Sequence, residues 1–377
     1  MEIAAIIAGA MLIAVILWEG FEIIILPRRV TRRFRLSRFF FVSSWHAWKF
    51  AVNLLPGRFH GTWLSFFGPL FILFMLIFWV SGLIAGFALL YWASDAMSHT
   101  PEGNYGFFRD LYQSGTTFFT LGLGDVVPRN AMARIFTVIE SGMGFGFLAL
   151  VLSFLPALNR SFSRREVSIA LLDARAGSPP SASEMLRRHY GRHGLDALQQ
   201  LLREWERWAA EFLEDHLSYP VVAYFRSQHD NQSWLSALTA ILDTCALSMV
   251  GPENSCKLQA ELTFASARHA VADLCLVFGQ QPVKPDHDRL PQETYHEMIA
   301  QLKTAGFNIP EKEMAHSRLT ELRLMYEPQV HVLSHYFQIH MPPWHLSKAK
   351  RDNWQTGVKG VIHPGTGPDE HDENEHF

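Results

Sequence analysis

Three long and almost uncharged segments constrain this sequence more than any other feature. Residues 3–18 carry no charge, residues 66–92 are uncharged throughout, and residues 131–158 contain only Arg134 and Glu140 as charged side chains. A helix of about 20 apolar residues is long enough to cross the hydrocarbon core of a bilayer. The sequence therefore predicts a membrane protein with three transmembrane helices.

The overall composition narrows the class further. The 377 residues carry a formal net charge of −3, which gives no reason to expect a nucleic-acid partner. The three cysteines lie in the polar half without CxxC spacing, as expected for reduced thiols and not for a disulfide framework. Because the N-terminus lacks the basic region of a signal peptide, we expect the first apolar segment to be retained.

Basic residues predict the orientation in the membrane. The stretch PRRVTRRFRLSR, residues 27–38, carries six arginines, and three more follow the third apolar segment within residues 160–165. Basic loops are enriched on the cytoplasmic side, so the N-terminus is predicted to be external and the chain after residue 159 cytoplasmic. Residues 39–55 mix several Trp and Phe with His46 and Lys49, which is typical of an interfacial amphipathic helix.

The connection between the second and third spans does not have the composition of an ordinary loop. Residues 107–119 place apolar side chains at roughly helical spacing, but such a helix is too short to cross a bilayer and is predicted to be re-entrant. The stretch TLGLGD follows at residues 120–125. Non-helical backbone at membrane depth must be buried in protein or line a water-filled path. Gly122 and Gly124 can adopt positive φ at little cost, so they allow successive carbonyl oxygens to face one axis.

TLGLGD resembles the T-x-G-Y-G-D signature of potassium-channel selectivity filters. The order of span, short helix, filter and span over about residues 66–158 resembles the pore unit of that superfamily. Because each chain supplies a single pore segment, the resemblance implies a homotetramer in a lipid bilayer, with K⁺ as the permeant ion and no other cofactor. It implies the following filter residues: Thr120, Leu121, Gly122, Leu123 and Gly124.

Two further roles follow from the same resemblance. Asp125 would lie at the outer mouth and concentrate cations. Leu123 stands where the usual residue is Tyr, and this replacement removes a hydroxyl group that helps to hold the diameter of the filter.

The third span contains the residues predicted to gate and support the pore. Gly144 is interpreted as a hinge, and the region from Phe154 to Pro156 as the point where the pore narrows, because proline can kink a helix. Close helix packing is the alternative interpretation of the glycine. Glu140 is predicted to lie behind the filter near hydroxyl groups of the pore helix and to support the filter, with a hydrated structural acid as the alternative.

The polar half shows helical patterns with little strand-like alternation. An all-α cytoplasmic domain of five or six helices is predicted, from patterns at residues 195–217, 232–249, 252–278, 292–305 and 310–340. The fold class is therefore an all-α membrane protein with three transmembrane helices, a re-entrant pore helix and an all-α cytoplasmic domain. The predicted divisions are a first transmembrane helix (1–27), a basic cytoplasmic segment with the interfacial helix (28–65), the pore module (66–158), a linker (159–182), the helical domain (183–346) and a disordered tail (347–377).

Two functional hypotheses remain. The first is a tetrameric, potassium-selective channel in a bacterial inner membrane, gated at the inner helix and without enzymatic activity. The second is a membrane-anchored sensor or hydrolase with a non-conducting pore module and its activity in the helical domain. His and Asp are adjacent at two places, residues 229–230 and residues 286–288. Neither place has further metal ligands at a convincing spacing, so no metal site is predicted. The intact filter glycines favour the channel, whereas the sequence does not identify a regulatory ligand.

Overall fold

The protein is described by a computed structural model that covers residues 2–25, 36–94, 106–190, 194–227, 231–252, 256–308 and 312–346. The predicted all-α fold is confirmed. The described residues form twelve α-helices: α1 (Glu2–Gly20), α2 (Leu36–Asn53), α3 (His60–Ala93), α4 (Phe107–Phe118), α5 (Ala131–Ala176), α6 (Ala182–Tyr190), α7 (Gly194–Ser218), α8 (Trp234–Val250), α9 (Lys257–Phe278), α10 (Gln292–Thr304), α11 (Lys312–Leu324) and α12 (Glu327–Phe337). The predicted tail and most of the arginine-rich stretch lie outside the described residues.

Three helical segments are long and apolar enough to cross a membrane, and they coincide with the three predicted spans. They cover Glu2–Ile23, Gly57–Ala93 and Ala131–Ala176. The first comprises α1 and a short π-helical turn, the second includes α3, and the third is α5. The protein is therefore a membrane protein whose spans were readable from hydropathy.

Glycines bring α1 into close contact with α3. A Cβ atom placed on Gly9 would lie 2.7 Å from the carbonyl oxygen of Gly86, and one on Gly82 would lie 2.2 Å from the Cδ1 atom of Ile16. Gly82 and Gly86 are four residues apart and lie on one face of α3. Small residues at this spacing allow two helices to approach closely in lipid, where packing drives their association.

The antiparallel register of α1 and α3 indicates how far α3 extends beyond the membrane. Ile16 contacts Gly82, so Glu22, six residues later, lies level with about residue 76 of α3. Glu22 accepts a hydrogen bond from Trp18 Nε1 at 2.8 Å, and such a polar pair fits the edge of the bilayer. The first part of α3, residues 60–72, therefore continues past this level toward the C-terminal domain.

The predicted interfacial helix corresponds to α2, but α2 does not lie apart from the rest of the protein. It runs antiparallel to the first half of α3: Phe40 stacks on Phe74 at 5.2 Å between ring centroids, and Trp48 lies 6.3 Å from Trp63. Trp45 is 2 % exposed and donates a hydrogen bond from Nε1 to the C-terminal domain. Of the aromatic side chains that suggested contact with lipid, Trp45 is therefore buried by protein and Phe40 and Trp48 are half-buried, whereas Phe50 is exposed.

The helix α5 continues well beyond the predicted end of the third span. Residues 159–176, predicted to be a linker, are helical, and α5 ends only at Gly177, whose φ is +83°. The segment 157–176 contains neither glycine nor proline, so its change from apolar to polar residues marks where the helix leaves the membrane and not where it stops. One helix thus joins the membrane part to the C-terminal domain.

The C-terminal domain is built around α8. All residues of α8 from Trp234 to Ser248 are buried, which is typical of a helix surrounded by others. Its one acid, Asp243, is bonded to Arg289 at 2.7 Å and to the Tyr326 hydroxyl at 2.5 Å, so the buried charge has partners. Seven helices, α6 to α12, lie in the described part of this domain, instead of the five or six expected. One additional helix is α6. The other arises because the last predicted helix is interrupted at residues 325–326 and forms two helices, α11 and α12.

The contact between α1 and α3 is testable with a matched pair of substitutions. Gly9→Ala places a methyl group 2.7 Å from a backbone oxygen, so the two helices must move apart. We expect a loss of about 1–3 kcal/mol in stability, the usual cost of overpacking. Gly20→Ala, where nothing lies within 4 Å of the new Cβ, should leave stability unchanged. Thermal unfolding in detergent measures both, and equal stability of the two variants would contradict the packing described here.

Candidate ion-conduction site

The short helix α4 enters between α3 and α5. It begins after Gly106, whose φ of +127° lets the chain turn sharply into the helix. Arg109 and Asp110 are buried in the first turn and form two hydrogen bonds, Nε to Oδ1 at 2.9 Å and Nη2 to Oδ2 at 3.2 Å. A carboxylate in the first turn also interacts favourably with the positive end of the helix dipole. The beginning of α4 is thus fixed by a buried ion pair.

The backbone after α4 alternates in handedness. Positive φ values occur at every second residue: +57° at Thr120, +56° at Gly122 and +82° at Gly124. Glycine adopts this geometry readily, whereas a β-branched residue such as Thr120 is strained there by about 1–3 kcal/mol. This alternation is the conformation that directs consecutive carbonyl oxygens to one side.

The stretch is tied to α4 by backbone hydrogen bonds. The carbonyl oxygen of Thr116 accepts from the N–H groups of Leu121 at 2.7 Å and Gly122 at 3.4 Å. Backbone N–H groups must be satisfied within the protein at membrane depth. In the single chain, residues 119–125 are exposed, including 63 % of the Leu121 and 66 % of the Leu123 side chain. The stretch is therefore anchored on one side and open on the other.

Glu140 connects α5 to both neighbouring helices of the site. Its side chain is fully buried and accepts a hydrogen bond from the Tyr91 hydroxyl of α3 at 2.7 Å and one from the Ser114 hydroxyl of α4. Ser114 Oγ also lies 2.8 Å from the carbonyl oxygen of Ile84. An ionisable group inside a span is costly unless it is bonded in this way. The structure thus places Glu140 among hydroxyl groups of α3 and α4, including that of Ser114 on the short helix, as expected.

Gly144 allows close packing of α5 against the end of α4. A Cβ atom at this position would lie 2.0 Å from the carbonyl oxygen of Phe118 and 2.9 Å from its carbonyl carbon. No side chain fits at such distances. This contact explains a glycine at residue 144 without a hinge, and the hinge stays a prediction.

Phe154 and Pro156 lie on different sides of α5. Phe154 is 6 % exposed and packs against Tyr219 of the C-terminal domain, with ring centroids 5.8 Å apart. Pro156 is exposed and lies inside the continuous helix. A side chain covered by its own subunit cannot also narrow a central pore, so within this conformation Phe154 serves the contact with the domain.

Asp125 has a partner that the sequence did not reveal. The Tyr112 side chain of α4 lies close enough to the Asp125 carboxylate to interact with it. This contact brings α4 next to the far end of the 120–124 stretch. A single tyrosine in a helix rich in aromatic residues carries no pattern that would single it out.

Arg165 attaches α5 to the C-terminal domain. Its side chain is 3 % exposed and donates to the carbonyl oxygens of Val222 at 2.9 Å and Phe225 at 2.7 Å. Nearby, burial and then the charge of Arg165 lower the pKa of His216 to about 3, so that the ring is neutral and its Nδ1–H donates to the Phe212 carbonyl at 2.7 Å. The segment 220–225 thereby connects the domain to the extension of the inner helix.

Metal ligands or reactive thiols are the features that a metal-dependent or thiol hydrolase would need in the C-terminal domain. Among the residues that the structure describes, no group of three or more His, Cys, Asp and Glu side chains could hold a metal ion. Burial raises the pKa of the Cys256 thiol to about 11 and that of Cys275 to about 12, which makes both poor nucleophiles. His229 and Asp230 lie outside the described residues, and Asp288 pairs with Arg323.

Comparison with known proteins addresses the membrane part. A family described as "Ion channel" matches residues 70–159, about a quarter of the chain. This range covers α3 from Leu70 on, α4, the alternating stretch and the membrane half of α5. Residues 70–159 are an ion-channel unit of the potassium-channel superfamily. The match coincides with the geometry: the channel unit contains the alternating stretch, its anchor Thr116 and the Glu140 contacts.

One relative and the solved structures complete the comparison. The chain is 26 % identical over 211 residues to the uncharacterized membrane protein YdjJ of Bacillus subtilis (strain 168). The alignment covers 54 % of this chain and 58 % of that protein, so the chain spans little more than half the length of this relative. No solved structure matches the chain significantly.

Gly144 offers a test that separates packing from hinge bending. Gly144→Ala should lower the stability of the folded protein by about 1–3 kcal/mol, because the new methyl group collides with a backbone carbonyl. Gly142→Ala lies two residues away in open space and should be neutral or slightly stabilising. Thermal unfolding of both purified variants is the measurement. A Gly144→Ala protein as stable as wild type but altered in channel activity would favour the hinge.

Arg165 offers a second test. Arg165→Met keeps much of the volume but leaves two carbonyl oxygens without their charged donor, and hydrogen bonds to charged groups contribute about 1.5–3 kcal/mol each. We expect faster proteolysis of the segment 220–225 and looser attachment of the domain. Arg160→Met, an exposed position on the same helix, is the control and should digest like wild type. Identical digestion of all three proteins would argue against this attachment.

Proposed function

We propose that the protein is a homotetrameric cation channel that prefers potassium and conducts through the backbone of residues 120–124. The observation that carries this proposal is the positive φ at every second residue from Thr120 to Gly124. Such a backbone stacks carbonyl oxygens that can replace the hydration shell of a cation. The site holds no second function that would demand the same strained geometry.

The exposure of the filter stretch supports the tetramer. Residues 119–125 and the neighbouring face of α5, including Phe145 and Leu152, are exposed in one chain although they belong to the membrane part. One chain contributes only one such stretch, and a closed ring of carbonyl oxygens needs several. Four copies around an axis would bury these surfaces against one another and place the filter at the centre.

The roles of the neighbouring residues follow from their contacts. Asp125, next to Tyr112, would place its charge at the external mouth and raise the local concentration of cations. Glu140 would hold α3, α4 and α5 at a fixed distance behind the filter. Leu123, in place of the usual tyrosine, supplies no hydroxyl group, so Tyr112 and Glu140 would carry more of the support.

The orientation proposed from the arginines fits the same arrangement. The N-terminus would be external and the C-terminal domain cytoplasmic, which places Asp125 outside and the extension of α5 inside. The attachment of α5 by Arg165 would then transmit movements of the domain to the pore-lining helix. We propose no enzymatic activity and no bound cofactor other than the permeant ion.

Ion flux through the purified full-length protein in liposomes tests the proposal. Wild type should pass K⁺ faster than Na⁺. Gly122→Ala should abolish most of the flux, because alanine at a φ of +56° is strained and the carbonyl oxygens lose their alignment. Gly20→Ala, on α1 and with nothing within 4 Å of the new Cβ, is the matched control and should conduct like wild type.

Each other outcome overturns a defined part of the proposal. Equal flux of K⁺ and Na⁺ would remove the potassium preference and direct attention to Leu123. Flux that survives Gly122→Ala would exclude the 120–124 stretch as the filter. Tetrameric protein that stays silent across pH, voltage and lipid composition would exclude the channel, and a monomeric mass in detergent and in lipid would exclude the tetramer.

A further inference from the structure

A cleft lined by histidines separates α2 from the C-terminal domain. It has a volume of 340 Å³. Its walls come from α2, from the chain after α9 and from α12, and its residues are His46, Lys49, Gln280, Val283, His331, Val332, His335 and Tyr336. We refer to it as the histidine cleft. It belongs neither to the conducting stretch nor to the attachment of α5.

The bonds that hold α2 to the domain lie at the edge of this cleft. Trp45 Nε1 donates to the Tyr336 carbonyl at 3.0 Å, and Lys49 Nζ donates to the same oxygen at 3.3 Å. The Lys49 ammonium also lies over the rings of Trp45 and Tyr336, at 5.4 and 5.0 Å from their centroids. Burial lowers the pKa of Lys49, which shows that a positive charge is already disfavoured at this position.

Three histidines surround this cation. His331 and His335 are one turn apart on α12 with ring centroids 4.5 Å apart, and His46 on α2 lies 6.5 Å from the Tyr336 ring. Burial, and then the neighbouring His335, lower the pKa of His331, whose Nδ1 is buried without a hydrogen-bond partner among the described residues. Asp286, in the chain before α10, is the acid that acts on His331 in the opposite direction.

Among the side chains that face one another across the cleft, basic ones therefore outnumber acidic ones. The titratable and charged groups are His46 and Lys49 from α2, Asp286 from the chain between α9 and α10, and His331, His335 and Tyr336 from α12. Within the described part of the chain, no group of His, Cys, Asp and Glu side chains is placed to bind a metal ion, so the histidines are available to protons.

We propose that the histidine cleft is a pH-sensitive latch, which holds α2 against α12 while its histidines are neutral and releases α2 when they are protonated. Protonation would place positive charges beside Lys49, on His331 in a half-buried position and on His46 and His335 at the exposed rim of the cleft, and their mutual repulsion opposes docking. Once α2 has separated, His331 can be hydrated and bind its proton at the ordinary pKa.

The direction of the pH dependence follows from this difference. At a pH where a histidine is neutral in both the docked and the released position of α2, a lower pKa in the docked position has no effect on the docking equilibrium. Docking is therefore strongest above about pH 6.5, the ordinary pKa of histidine, and weakens as the pH falls below that value. Because the first half of α3 has its own contact with the domain, at Gly68 and Phe225, release at the cleft would detach α2 while α3 stays in place.

Hydrogen exchange of the full-length protein tests the latch without reference to ion flux. Protection of residues 40–53 is measured between pH 7.5 and pH 5.5, after correction for the intrinsic pH dependence of amide exchange. We expect protection to fall several-fold, because protonation of the cleft shifts the equilibrium from the docked to the released position of α2. The double variant His331→Gln/His335→Gln should keep most of its protection at pH 5.5.

The controls separate the latch from general effects of acid. His269→Gln removes a histidine on α9 that is 67 % exposed, and it should behave like wild type. Peptides from the buried helix α8 should stay protected throughout, since a loss there would report acid unfolding of the domain. If the double variant folds poorly at pH 7.5, the single variant His46→Gln replaces it, with a smaller gain in protection at pH 5.5.

Two results would overturn the latch. One is protection of residues 40–53 that does not change between pH 7.5 and pH 5.5 in wild type. The other is an equal loss of protection in wild type, in the histidine variants and in His269→Gln. Neither result bears on conduction, because the measurement reports the position of α2 alone.

Discussion

Backbone that leaves the helical conformation inside a membrane must have its polar groups satisfied by protein, and the arrangement of the channel unit depends on this constraint. The N–H groups of Leu121 and Gly122 reach back to the carbonyl oxygen of Thr116, so the open stretch needs α4 beside it. In turn, α4 is held between α3 and α5 by the hydrogen bonds to Glu140 and by the close approach of α5 at Gly144. The helix α1 supports α3 from behind.

The C-terminal domain contacts this unit through two helices. On α5, Arg165 binds the segment 220–225 by two carbonyl oxygens. On α3, Gly68 leaves room for the Phe225 ring, which lies 2.8 Å from where a Cβ atom would be. The same short segment therefore touches the outer and the inner helix of the channel unit. A domain attached at both points can change the angle between these helices only by moving as a whole or by breaking one contact.

The spans and the filter stretch could be predicted because each depends on local composition. Uncharged length defined the spans, and Gly122 with Gly124 defined the stretch whose positive φ values the structure shows. The helices of the C-terminal domain could likewise be predicted from the periodic spacing of apolar residues. The glycine pair Gly82 and Gly86 on α3 carried a readable signal for close packing, although the prediction did not use it.

Other features depend on tertiary contacts that leave no local pattern. The helix α5 was predicted to stop at residue 158 because polarity changes there, yet nothing in residues 157–176 opposes helix. Arg165 is a single residue whose partners lie more than 50 residues further along the chain. The aromatic face of α2 looked like a surface for lipid, and only the folded chain shows that α3 and Tyr336 cover part of it.

The unbroken length of α5 has a mechanical consequence. The stretch from Pro156 to Ala176 forms a rod of about 30 Å, at a rise of about 1.5 Å per residue. With a pivot at Pro156, a change of roughly 10° in helix direction corresponds to a displacement of about 5 Å at the far end. The domain thus acts on a long arm, so a modest force applied at residue 176 produces a large turning moment at the membrane.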